Sequence, residues 1–126
     1  MKRSDDPRHI HRMHLVKQLF AYSFSKEQEF SEELGSIVAD LDRIDQHIHT
    51  CAPDWPIAQI NRVDLGILRL AIFELLHGKA PIKVAIDEAV ELAKEFGSQS
   101  SPKFVNGVLG SVVTNLAPKP AGPKTT

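Results

Sequence analysis

The sequence predicts an all-α fold, a single-domain bundle of about five to six helices. Three observations predict it. Apolar residues recur at three- and four-residue spacings, strand-like alternation is nearly absent, and Ser, Asp, Pro and Gly punctuate the periodic segments at short intervals. The 126 residues, 42% hydrophobic and 25% charged, suffice for one core and are too few for two ordinary domains. The expected organisation is a flexible basic leader over 1–6, a helical domain over 7–116 and a disordered Pro/Gly/Lys-rich tail over 117–126.

Each element has its own signal. Asp6 followed by Pro7 opens a helix over 7–24, with Met13, Val16, Leu19, Phe20 and Phe24 on its apolar stripe. Ser25 and Gln28 match a capping box, and Phe30, Leu34, Ile37, Val38, Leu41, Ile44 and Ile48 form one seam, read as a second helix ending near His49. Pro53 and Pro56 close it, and Trp55, Ile57 and Ile60 form a short anchoring segment. Residues 61–78 are apolar almost all round, the mark of a buried helix, with Gly78 as a left-handed cap. A further helix spans 83–97 and stops at Gly97. The last spans 100–116, with Ser101 as its cap and Pro102 following. Gly107 and Gly110 inside it suggest tight packing against a neighbouring helix.

Net charge is −1, which argues against coating nucleic acid by bulk charge. The distribution is uneven. Lys2, Arg3, Arg8, Arg12 and Lys17 crowd the amino-terminal end, whereas 25–45 is acidic and suits the steering of a basic partner. Cys51 is the sole cysteine, which fits a reducing compartment. No apolar run approaches a membrane span and no signal-peptide core is present, so the expected location is the cytoplasm, with no membrane contact.

Common catalytic signatures are missing: no phosphate-cradling glycine loop, no HExxH, no GxSxG and no paired CxxC. The expectation is a non-enzyme without cofactor or metal. The stretch RHIHRMH (8–14) invites a metal, but on a helix His9 and His11 point about 160° apart. His47, His49 and Cys51 are a weaker alternative, at a helix end. Arg8 and Arg12 share a row that continues into Leu15 and Leu19, and their guanidinium forks suit phosphate oxygens.

RVDLGILRLAIFELL, APIKVAIDEAVELAKEFG and SPKFVNGVLGSVV, in this order, resemble the NusB family of bacterial transcription antitermination factors over about 62–113. The resemblance implies an RNA-binding factor that pairs with NusE, a ribosomal small-subunit protein. The pair is expected on boxA-type single-stranded RNA of nascent transcripts, notably of ribosomal RNA operons, within an RNA polymerase antitermination complex. It further implies RNA contacts from Lys2, Arg3, Arg8, His9, Arg12, Phe104 and Asn106, and partner contacts from Phe20 and Glu74. His9 and Ile10 fall on family arginine positions, Phe20 replaces a tyrosine, and Gly110 stands where many members carry aspartate. Residues 25–50 look shortened against the family, as though a helix were lost. Read as diluted arginines, the histidines imply RNA binding that strengthens as pH falls from about 7.5 to 6. A second copy of the chain is a candidate partner. The alternative reading is a protein-interaction module of NusB-like fold with little specific RNA binding.

Overall fold

Helix starts and stops follow the punctuation of the sequence, with exceptions between residues 25 and 51 and at the start of α6. The computed structural model describes residues 5–27 and 29–117. Its α-helices are α1 (Pro7–Phe24), α2 (Glu32–Ala39), α3 (Leu41–Cys51), α4 (Arg62–His77), α5 (Ile82–Phe96) and α6 (Ser101–Leu116), with a one-turn 3-10 helix at Ile57–Gln59. Among the described residues there is no strand, and no helix is long and apolar enough to cross a membrane. The expected leader, with Lys2 and Arg3, and nearly all of the expected tail lie outside the described residues.

α1 begins as the sequence directs. The Asp6 carboxylate accepts the Arg8 N–H, and Pro7 fills the first turn, where its missing donor costs nothing. α4 is the axis of the bundle and touches all five other helices. Encirclement explains its all-round apolar character: Ile67, Leu68 and Ile72 are fully buried, each worth about 1.5–3 kcal/mol of burial. Asn61 caps its start by accepting from Val63 and Asp64 N–H groups, and Gly78 ends it at φ 60°, a conformation costly for any residue with a Cβ. Arg69 on α4 is buried and forks onto Asp45 of α3 at 3.0 and 2.9 Å, tying the two helices.

The single seam expected over 30–49 is two helices. Asp40 leaves helical geometry at φ −104° and ψ 11°, and its side chain takes a 2.9 Å contact from His77 at the end of α4. The buried residues Leu34, Ile37, Ile44 and Ile48 stay three, seven and four apart across the break. A three/four periodicity that continues through a kink cannot reveal it. The middle segment is therefore two short helices rather than one. The capping box at Ser25 also gives way: Ser25 closes α1, Gln28 lies outside the described residues, and Ser31 caps α2 by accepting from Leu34 N–H at 3.1 Å.

At the other end, Ser101 is not the cap of α6 but its first helical residue. Its buried hydroxyl accepts the Ser98 N–H at 2.9 Å and stitches the α5–α6 corner. Gly97 makes that corner possible, because a Cβ there would meet Ser101 side-chain atoms at 2.5 Å. Gly107 and Gly110 do not mediate tight packing. Nothing lies within 4 Å of a Cβ built at either, and both face outward on α6. The close helix approach is instead at Gly66 of α4, where a Cβ would lie 3.4 Å from the Val16 carbonyl oxygen of α1.

Candidate nucleic-acid interface

α1 presents its first two turns to three different surroundings. Arg8 points outward, its side chain 83% exposed, and forks onto Asp6 through Nε and Nη2 at 3.2 and 2.9 Å. Hydrogen bonds from the Arg8 side chain and backbone hold the Asp6 carboxyl down at about 2. Arg8 is thus a charge-balanced guanidinium at the surface, with donors left for another anion.

Arg12 is turned inward. Its Nε and Nη2 donate to both oxygens of Glu74 at 2.8–3.2 Å, with side chains only 13% and 10% exposed. The basic row does extend the core-facing stripe, but the core has not run out at Arg12. Glu74, expected to meet a partner, is buried and committed to this pair. The pair occupies Arg12 Nε and Nη2 and both Glu74 oxygens, so a protein or RNA contact by Glu74 would have to share or break it.

His9 is also interior, at 1% exposure. Its Nδ1 lies 2.7 Å from Glu88 Oε2 and its Nε2 2.7 Å from Glu95 Oε1, both on α5. Burial alone would lower its pKa, but the two carboxylates outweigh it and the net direction is upward. A buried ring with both nitrogens occupied has no edge for RNA. The expected diluted-arginine role is corrected, and with it His9's part in RNA binding that strengthens towards pH 6. A signal for this was present: His9 stands four residues before Met13 and seven before Val16, on the apolar stripe itself.

Arg8, His11 and Lys79 rim an open cleft of about 540 Å³ floored by Leu15, Leu70 and Phe73. His11 meets Glu33 of α2 across it at 2.7 Å. A second cleft, of about 290 Å³, lies between Trp55 and Phe104, whose rings stand edge to face at 6.1 Å. Asp64 lines it and is buried. Burial raises its pKa against a hydrogen bond from Ser101, and its Oδ1 has no partner among the described residues. Asn106 and Lys103 are exposed on α6. The expected RNA residues therefore divide: Arg8 and Arg12 border one cleft, Phe104 the other, and Asn106 lies outside both.

Phe20 is 38% exposed and packs edge to face on Phe24 at 5.0 Å. The Arg62 guanidinium lies 4.3 Å from the centre of the Phe24 ring and donates to the Ser23 carbonyl. This aromatic–cation patch was not read from the sequence beyond Phe20. Elsewhere, His47 is half-buried and His49 exposed, two residues apart and so on different sides of α3, and Cys51 takes a 3.4 Å contact from Asn115. Among the described residues no three His, Cys, Asp or Glu side chains are grouped to hold a metal ion.

The NusB family model matches residues 10–114. The chain belongs to the NusB family. It is 53% identical over 84 residues to a transcription antitermination protein NusB of Dehalococcoides mccartyi, which covers 66% of this chain and 59% of that protein. It is 60% identical over 77 residues to the NusB of Chloroflexus aggregans, covering 59% of this chain and 49% of the relative. The matches thus span about half to three-fifths of these NusB relatives. The solved structure of T. maritima NusB superposes with a TM-score of 0.79 at 32% identity, covering 90% of this chain and 95% of that one.

Proposed function

We propose that this chain is a non-enzymatic transcription antitermination factor that binds boxA-type RNA together with NusE. The observation that carries the reading is membership of the NusB family over residues 10–114, with relatives named as transcription antitermination proteins. The side chains assigned to RNA are Arg8, Phe104 and Asn106, joined by Lys103 beside them on α6 and by Lys2 and Arg3 in the leader. Arg8 and Lys103 supply phosphate contacts, Phe104 a ring on which a base stacks, and Asn106 a donor and acceptor for a base edge. Phe20, with Phe24 and Arg62, is assigned to NusE, the exposed rings giving the apolar contact. RNA polymerase joins through the assembled complex, in the cytoplasm.

With so few free cations on α1, the chain alone binds RNA weakly, and a basic partner extends the surface. Arg8→Ala and Lys103→Ala should each lower RNA affinity of the NusE complex and flatten the salt slope by roughly 0.7 per lost phosphate contact. Fluorescence anisotropy over a range of salt concentrations reads both. Unchanged affinity and slope in the double variant would remove these cations from the interface. The commitment of His9 and Arg12 to internal carboxylates favours a second reading, a protein-interaction module. NusE binding that brings no preference for boxA over scrambled RNA would select it.

A further inference from the structure

The His9 site has a stoichiometry that a neutral histidine between two ionised carboxylates does not satisfy. Each ring nitrogen faces a carboxylate oxygen at 2.7 Å, and a neutral imidazole has one N–H donor and one acceptor lone pair. Only the imidazolium donates to both. The two acids are seven residues apart, two turns along one face of α5, so the ring bridges the helix as a staple. We propose that His9, Glu88 and Glu95 form a proton-dependent latch that fastens the amino-terminal turns of α1 to α5. The latch is independent of the RNA reading, since it concerns two helices of one chain.

Charged groups of both helices surround the latch. On α1, Arg8 and Arg12 both feel Glu88, and Arg12 is drawn away from it by Glu74 of α4. On α5, Glu91 lies between the two latch acids and is engaged by Lys94 at 3.3 Å. Further along, Lys17 of α1 lies 5.9 Å from the Phe96 ring of α5, a second link that carries no titrating acid. Deprotonation leaves one carboxylate facing a ring lone pair inside a buried site, and that carboxylate must turn away. The folded-state pKa of His9 lies above the ordinary 6.5, so the latch is complete below 6.5 and is lost as pH rises through the folded value.

The test is an NMR titration of protein labelled in its histidine rings, with the His9 ring assigned through its own backbone. The titration is repeated on Glu88→Gln and Glu95→Gln, near-isosteric changes at side chains that are 14% and 36% exposed. The wild-type ring should titrate above 6.5. Each variant should lower that midpoint, and the double variant should lower it furthest. A wild-type midpoint at or below 6.5, or one unmoved by both variants, overturns the latch. Movement by only one variant overturns its two-sided form. Amide exchange over residues 10–13, corrected for base catalysis, should quicken through the same midpoint, and protection that stays constant there would deny it a mechanical role.

Discussion

Truncating Arg12 to alanine separates a structural role from an RNA role at one position. The guanidinium forks onto Glu74 with three contacts of 2.8–3.2 Å, and both side chains are nearly nine-tenths buried. Removing one partner of a buried pair costs about 3–5 kcal/mol, because the survivor keeps its charge without a counter-ion. This pair borders an open cleft, so water reaches Glu74 once Arg12 is shortened, and the loss should fall to about 2–3 kcal/mol. The double variant Arg12→Met, Glu74→Leu removes both charges and should cost less than the single one. Urea denaturation read by circular dichroism gives each value, with an unchanged m-value as the condition for comparison. An Arg12→Ala loss below about 0.5 kcal/mol, or a double variant no better than the single, would refute the pairing as a source of stability.

Other consequences are as direct. Gly97→Ala should destabilise, since its methyl would meet Ser101 at 2.5 Å, whereas Gly107→Ala should stabilise by up to about 1 kcal/mol at an open helix position; thermal melts rank the two. Leu68→Ala, at a fully buried site on α4, should cost about 2–5 kcal/mol by denaturant midpoint. Asp6 should titrate at about 2 by carboxyl-carbon NMR. Because that value is depressed, the stabilisation from this cap is complete above the ordinary 3.8 and disappears as pH falls through about 2. Asp6→Asn should remove this acid-side contribution to the melting profile.

The all-α class and the central place of 61–78 were legible because periodicity and caps are local signals. α1 and the residues 62–77 stand where the sequence puts them, and Gly78 has its left-handed conformation. The break at Asp40 was hidden because the apolar spacing runs through it unchanged. The candidate site was legible as a set of residue types and not as a geometry. Arg8 and Arg12 share a row, yet one is at the surface and the other in a buried pair 62 residues distant in sequence. His9 found its acids 79 and 86 residues away, a pairing that no local pattern carries. Position on the apolar stripe was the available clue, and residue type drew attention from it. The outward placement of Gly107 and Gly110 depended likewise on which face of α6 meets the bundle.

On the proposed function, this NusB-family chain recognises boxA-type RNA in concert with NusE. The most direct measurement mixes the purified chain with its cognate NusE and titrates labelled boxA and scrambled RNA by anisotropy at fixed salt. BoxA should bind more tightly than the scrambled sequence, and the pair should bind it more tightly than either protein alone. Equal affinity for the two RNAs, or no gain on adding NusE, would contradict it.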